Sequence, residues 1–205
     1  MRALARLLGV LLIAVVIAPA PVRAAPTPTA VVRGLTDALI AVMQDGPALG
    51  FQGRWKRLAP VIVNDFDLPL IARISLGRYW APLDEGKRKR LIDALTRRTI
   101  ATYAARFDAY SGEHFRILGE EPAPRGTMLV RTELVKSGGD AVALNYLLRK
   151  AGDRWRVVDV YLKGVYSELA LRRSEYTATL KNHGFDALIA AIDRKTRDYA
   201  AGKID

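Results

Sequence analysis

The first third of the chain has the apolar spacing of helices. Apolar residues recur every three or four positions from 31 to 42, and Asp45-Gly46-Pro47 predicts the end of that helix. A second amphipathic stretch covers 54–63, and Asp67 is in the N-cap position of a short third helix that continues to Leu76. These residues are therefore predicted to form three helices.

The longest periodic segment begins at Asp84 and ends at Ser111-Gly112. Its apolar and aromatic residues occupy more than one side of a helix, with Leu91 on one side and Tyr103 and Phe107 on another. A helix of this kind needs neighbours on both sides. We therefore predict that this segment is the central helix of the fold.

From residue 115 the apolar residues alternate instead, which predicts β-strands. Strands are predicted over 127–136, 141–149 and 155–162, with a weaker one over 115–121 and hairpin turns between them. After Gly164, Ser167 is in the N-cap position of a helix that ends near Gly184, and a final helix follows. The predicted class is α+β, with a four-stranded antiparallel sheet between N-terminal and C-terminal helices.

The N-terminus has the three-part pattern of a secretory signal. Residues 1–6 carry two arginines and no acid, 7–18 are almost entirely apolar, and Val22-Arg23-Ala24 before Ala25 fits the small-residue rule for cleavage. We predict a signal peptide over 1–24, a flexible leader over 25–29 and a single domain over 30–200. A retained membrane anchor is the alternative, although the apolar run is shorter than the ~20 residues of a membrane span.

Composition and charge exclude several kinds of chemistry. A net charge of +11 suggests nucleic acid, but cleavage would remove Arg2, Arg6 and Arg23 and leave +8 on an exported protein, so no nucleic-acid partner is expected. The chain has no cysteine, which excludes disulfides, a thiol nucleophile and thiolate zinc sites. Two histidines leave little for a metal centre. No cofactor or metal is predicted.

Basic runs on the predicted helices have two interpretations. Lys87-Arg88-Lys89-Arg90 wraps around one helical turn, which favours a solvated helix surface over a binding stripe. Contact with anionic head groups or an acidic partner is the alternative. Arg97-Arg98 and Arg172-Arg173 have the same two interpretations.

Few residues are candidates for catalysis. Asp159 lies in an apolar strand, where it is either hydrogen-bonded to an arginine or the backbone, which we favour, or a catalytic carboxylate with a raised pKa. Glu113 and His114 could act as an acid–base pair only if they faced a pocket. His183 precedes a capping glycine and is expected at the surface. Known phosphate-loop, metalloprotease and nucleophile motifs are absent from the sequence.

An ordered set of short motifs runs through the chain. They are FDLPLIAR at 66–73, LGRYW at 76–80, TYA at 102–104, YSGE at 110–113, RTE at 131–133, NYL at 145–147, WRVVDV at 155–160 and GV at 164–165. In this order the set closely resembles the toluene-tolerance, or MlaC, family of periplasmic phospholipid carriers, over residues 31–192. The stretches at 50–54 and 166–175 look more like its hopanoid-associated branch, HpnM.

The resemblance implies a fold and a function. The fold would be cystatin-like, or nuclear-transport-factor-like, with the sheet and helices around an apolar lipid cavity. The function would be that of a periplasmic carrier rather than an enzyme, taking a phospholipid or a hopanoid between an outer-membrane lipoprotein complex and an inner-membrane ABC transporter complex. The ligand and the direction of transport stay open.

The lipid contacts are predicted from the inward-facing positions. They are Ile74, Leu95, Thr99 and Tyr103 on helices, with Val130, Tyr146, Leu148, Val158 and Val160 on strands. Each of these could instead be solid core, because periodicity identifies the inward face but not whether the interior is hollow. Two other functions stay open: an enzyme of the same fold with an acid–base site at Asp159, and an adaptor that binds no ligand.

Overall fold

A computed structural model describes residues 26–203 as an α+β fold. Along the chain, four helices come first, the strands of one sheet follow, and a long helix comes last. The helices are α1 (Pro28–Gln44), α2 (Gly46–Asp65), α3 (Leu68–Leu76), α4 (Glu85–Arg106) and α5 (Glu168–Ala200), and the strands are β1 (His114–Ala123), β2 (Thr127–Val135), β3 (Ala141–Ala151), β4 (Arg154–Leu162) and β5 (Tyr166–Ser167). The predicted class is confirmed. The predicted signal peptide, residues 1–24, lies outside the described residues.

Side-chain caps set the starts of four helices. Asp67 accepts a hydrogen bond from the Leu70 amide (3.2 Å), and Asp84 accepts one from the Lys87 amide (2.7 Å). Ser167 caps α5 in the same way, so the caps expected at Asp67 and Ser167 and the helix start expected at Asp84 are confirmed. Thr27 caps α1, which begins at Pro28, two residues before the predicted start of the domain.

Two glycines interrupt helices. Gly50 (φ 57°, ψ −178°) breaks α2, and Gly184 (φ 82°, ψ 177°) breaks α5 between residues 168–183 and 185–200. This backbone region is essentially restricted to glycine, which explains why glycine stands at both breaks. The two consecutive helices expected after Ser167 therefore correspond to the two segments of α5.

The sheet is an antiparallel meander in the order β1-β2-β3-β4-β5. The prediction of four strands was wrong, because β5 adds a fifth through the pairs Tyr161↔Ser167 and Leu162↔Tyr166. A strand of two residues is too short to give an alternating pattern. The four longer strands agree with the predicted segments to within two residues at each end.

The central position predicted for α4 is confirmed. It packs against α2, α3 and α5, and its buried residues, including Leu91, Leu95 and Ala101, lie on several sides. It ends at Arg106 rather than at Ser111, because residues 107–113 form the connection to β1. Within residues 26–203, no helix is both long and apolar enough to cross a membrane.

Helices cover one face of the sheet. Val130, Tyr146 and Leu148 on this face are at most 1% exposed, whereas Leu129 and Leu147 on the opposite face are half-buried. The covered face therefore forms the main core with α1, α3 and α4, and any interior space must lie on this side.

Candidate functional site

An apolar cavity of about 320 Å³ opens between the covered face of the sheet, the end of α4 and the start of α5. Its apolar and aromatic lining consists of Phe66, Ile71, Tyr103, Phe107, Leu134, Val142, Leu144, Tyr146, Val158, Val160, Leu162 and Leu169. Its polar lining consists of Thr102, Arg106, Asp159, Lys163, Glu168 and Arg172. The volume is at the lower end of the range for small-molecule sites, about 300–1,000 Å³.

Strand alternation places the sheet residues of this lining. Val142, Leu144 and Tyr146 are alternate residues of β3 and point to the same side. In β4 the register shifts opposite Leu147 and Leu148, so consecutive residues Val157 and Val158 are both buried. Such a bulge adds one residue to a strand and changes the direction of side chains, which strict alternation does not foresee.

Aromatic rings form the helical wall of the cavity. Tyr103 and Phe107, one turn apart on α4, are stacked with centroids 5.8 Å apart and an interplanar angle of 9°. Phe66, after α2, meets Tyr103 edge-on at 5.7 Å, and Phe115 of β1 lies 6.3 Å from Phe107. These contacts fix a rigid apolar surface opposite β3 and β4.

Two phenols line the interior of the cavity, Tyr103 on α4 and Tyr146 on β3. Burial raises the pKa of Tyr103 and raises the pKa of Tyr146 well above its ordinary value, and their proximity raises that of Tyr146 further. Both therefore stay neutral at physiological pH. They give the interior hydroxyl groups but no charge.

Charged side chains gather where the cavity meets solvent. Arg106 at the end of α4 and Lys163 after β4 are exposed, and Arg172 of α5 is half-buried. Glu168 is the carboxylate on α5 among them. Three cations around an apolar interior suit an amphipathic molecule with a negative head group, because the head can stay in water while the tail is buried.

Asp159 is a structural junction. Its carboxylate accepts hydrogen bonds from the Ser167 hydroxyl (2.5 Å) and from the amides of Leu169 (2.9 Å) and Val160 (2.8 Å). The Ser167 and Leu169 donors are the cap and first turn of α5, so the carboxylate joins β4 to the start of that helix. The interpretation of a hydrogen-bonded carboxylate is supported, although its main partners are a hydroxyl and two amides rather than an arginine.

The other candidate acid–base residues lie away from the cavity. Glu113 accepts a hydrogen bond from the Ser111 amide (2.6 Å) in the loop before β1, and neighbouring His114 is exposed. His183 is also exposed, next to the break in α5. Across residues 26–203, no group of three or more His, Cys, Asp or Glu side chains is placed to hold a metal ion.

Four of the nine residues predicted to contact lipid line the cavity, namely Tyr103, Tyr146, Val158 and Val160. The other five do not. Leu95, Thr99, Val130 and Leu148 are fully buried in solid core, and Ile74 lies on the far side of α3, in a separate groove.

The positions of these five residues have a physical explanation. Val130 and Leu148 share the inward face of the sheet with the lining residues, Val130 directly opposite Tyr146 on β2 and Leu148 two residues after Tyr146 on β3, but both are fully buried. On α4, Thr99 lies about one turn before Tyr103 and Leu95 about two turns before it. The Thr99 hydroxyl donates a hydrogen bond to the Leu95 carbonyl (2.9 Å). Periodicity gives the face of an element but not which part of that face borders the cavity.

The sequence analysis missed the mouth and part of the wall. Leu134, Val142, Leu144 and Leu162 continue the alternation of predicted neighbours, so their inward orientation was available from the pattern. The cations Arg106, Lys163 and Arg172 are distant in sequence, and no local signal joins them.

One stretch behind the resemblance to the hopanoid branch has a structural role. Gly50 breaks α2, and Arg54 is 9% exposed, donating from Nε to the Ala104 carbonyl (2.7 Å) and from a terminal nitrogen to the Gly46 carbonyl (2.9 Å). Neither residue lines the cavity. This stretch therefore does not distinguish between ligands.

A layer of helices on one face of a meander sheet, enclosing an apolar cavity with cations at its mouth, defines a class of proteins built to enclose an apolar or amphipathic molecule. The chain belongs to the MlaC protein family, whose family model matches residues 33–194. The phospholipid-binding protein from Ralstonia solanacearum, solved in complex with a phospholipid, has a TM-score of 0.73 at 21% identity, covering 83% of this chain and 97% of that chain. This likeness shows a shared fold. No curated protein matches the chain.

Proposed function

We propose that this protein is a periplasmic phospholipid carrier. The observation that carries the proposal is the apolar cavity with Arg106, Lys163 and Arg172 at its mouth, in a chain of the MlaC family. The Ralstonia protein of the same fold holds a phospholipid, which supports the same ligand class here. The cavity would bury acyl chain while the phosphate stays among the cations.

Acyl-chain burial is sufficient to explain tight binding. Each buried methylene contributes about 0.8 kcal/mol, so about ten of them give roughly 8 kcal/mol before the costs of association. The apolar wall needs no specific polar contact for this. The free energy would also make release slow, so a carrier of this kind needs a membrane or a partner to accept the lipid.

A phospholipid fits the mouth better than a hopanoid does. Arg106 and Arg172 offer planar guanidinium groups, which match phosphate oxygens in pairs. A polycyclic hydrocarbon without phosphate would leave these cations without a counter-ion. The hopanoid-associated function is therefore the second candidate, and lipid mass spectrometry of the protein purified from its own host separates the two.

The location proposed from the family resemblance is the periplasm. The proposed partners are an outer-membrane lipoprotein complex and an inner-membrane ABC transporter complex, between which the protein would carry lipid. An export signal is expected at residues 1–24. Fractionation of the host, followed by crosslinking to envelope proteins, tests both points. A cytoplasmic location would contradict them.

The cavity is tested by a charge placed inside it. Val142 lines the cavity, so Val142→Glu buries a carboxylate where the tail would lie, and we expect uptake of fluorescent phospholipid from vesicles to fall at least about tenfold. Val63→Glu is the matched control, because Val63 is 50% exposed on α2 and should keep full uptake. Circular dichroism verifies that both variants are folded. Equal uptake by a folded Val142→Glu variant would refute the cavity as the lipid site.

A further inference from the structure

A second concave surface lies on the other side of α3 and α5 from the cavity. Two adjoining openings, of about 450 and 610 Å³, share Gly77 and Arg173 and form one groove between the end of α3, the turn after it and α5. We call it the basic groove and define it by its cations: Arg73, Arg78, Arg88, Arg125, Arg173 and Lys181. No Asp or Glu lines it.

Cations elsewhere on the described part of the chain are often neutralised, whereas those of the basic groove are not. Nine ion pairs join Lys or Arg to Asp or Glu within residues 26–203, and none involves a residue of the basic groove. Like charges held close together repel, and a bound anion relieves that repulsion. The charge distribution therefore selects a negatively charged ligand.

The surroundings of Arg173 and Arg88 hold these side chains at the groove and leave hydrogen-bond donors unused. Gly77 has φ 52° and no side chain, so the Arg173 guanidinium lies 3.2 Å from the position that a Cβ would occupy. Arg88 lies over the Trp80 ring at 5.5 Å and donates one hydrogen bond to the Ala81 carbonyl (2.9 Å), but its Nε is buried without a partner. Planar guanidinium groups with unused donors match phosphate oxygens.

The aromatic residues of the basic groove indicate where the phosphate comes from. Tyr79 and Trp80 are half-buried in its walls beside Arg78 and Arg88. Tryptophan and tyrosine next to basic residues are typical of surfaces at the head-group level of a bilayer. An open groove with this composition suits head groups that protrude from a membrane better than it suits a small free anion.

We propose that the basic groove is a second, external site that binds the phosphate groups of anionic phospholipids at a membrane surface. Consecutive residues of α5 serve the two sites, since Arg172 lines the cavity mouth and Arg173 lines the basic groove. The helix turns about 100° between them, so the sites face neighbouring directions. A carrier held through the basic groove would therefore have its cavity mouth close to the bilayer.

The test is cosedimentation with vesicles of phosphatidylglycerol and phosphatidylcholine in equal parts, against vesicles of phosphatidylcholine alone. We expect binding only to the anionic vesicles, and the double variant Arg73→Gln/Arg173→Gln should weaken it at least about tenfold. Arg33→Gln/Arg194→Gln is the matched control. It removes two exposed arginines that form no ion pair among the described residues, and it should change binding by less than about threefold.

Other outcomes would overturn the proposal. Equal weakening by both double variants would mean that net charge alone attracts the protein. An absence of binding to anionic vesicles would point to an acidic protein partner. If the Arg73→Gln/Arg173→Gln variant lost binding of inorganic phosphate in calorimetry but kept binding to anionic vesicles, the basic groove would be a site for free phosphate.

One further pair of measurements tests the cavity and the basic groove independently of each other. The Val142→Glu variant should keep vesicle cosedimentation while losing lipid uptake. The Arg73→Gln/Arg173→Gln variant should keep the lipid that copurifies in its cavity. Failure of one site therefore leaves the result for the other intact.

Discussion

At the scale of single residues, Asp159 shows how a buried acid can belong to the scaffold. Three donors surround its carboxylate, and two of them, the Ser167 hydroxyl and the Leu169 amide, belong to the cap and first turn of α5. Since α5 supplies Leu169 and Arg172 to the cavity, this junction sets the position of one wall.

We expect Asp159→Ala to lower the free energy of unfolding by about 1–3 kcal/mol, because it leaves buried donors without an acceptor. Urea denaturation measures the change. Asp153→Ala, in the exposed turn between β3 and β4, is the control and should stay within about 0.5 kcal/mol. If the two variants were equally stable, the junction would have no energetic role.

The burial of Tyr146 predicts that the folded protein loses stability at alkaline pH. Its pKa is raised from 10.0 by burial, so above pH 10 the unfolded chain releases a proton that the folded protein keeps. Stability is then lost as pH rises, by up to about 1.4 kcal/mol per pH unit for one phenol. Tyr146→Phe should show a smaller alkaline loss in urea denaturation, and an unchanged slope would contradict this.

At the scale of elements, α5 consists of two helical segments with different attachments. In residues 168–183 the buried residue is Tyr176, which accepts a hydrogen bond from Arg98 of α4 (3.0 Å). In residues 185–200 the buried residues are Leu188, Ile189, Ile192 and Tyr199. The segment beside the cavity is therefore the more weakly packed of the two.

The break between these segments depends on glycine. Gly184 has φ 82° and ψ 177°, so Gly184→Ala should lower the free energy of unfolding by about 1–3 kcal/mol. Gly34 occupies an exposed position of α1, where the added Cβ of Gly34→Ala meets no atom within 4 Å, so this substitution should raise the free energy of unfolding by about 0.5–1 kcal/mol. Thermal or urea unfolding measures both. The same sign for both substitutions would contradict a strained break.

The sequence predicts elements well because caps and breakers act locally. Asp67, Asp84 and Ser167 mark helix starts because each side chain accepts a hydrogen bond from the amide three residues later, which needs no tertiary partner. The fifth strand was missed because β5 exists only through its pairing with β4, and the end of α4 was placed too late because residues 107–112 keep a helical apolar spacing without helical structure.

At the scale of the whole molecule, the site is harder to predict than the fold. Val160 and Val130 occupy the same face of the sheet and are both paired with Tyr146, but one lines the cavity and the other is solid core. The mouth is assembled from Arg106, Lys163 and Arg172, three residues that only the tertiary fold brings together. The basic charge visible in the sequence likewise becomes informative only when the structure separates paired cations from the basic groove.

The two attachments of α5 also give the molecule two levels of local stability. The free energy of local opening rises with the apolar contacts that must be broken. Residues 168–183 can therefore loosen from the sheet at a lower cost than residues 185–200 can leave α4, with Gly184 between them. A cavity near the lower limit of ligand sites could then admit a larger guest by transient fraying of one wall, while the rest of the domain keeps its native hydrogen bonds.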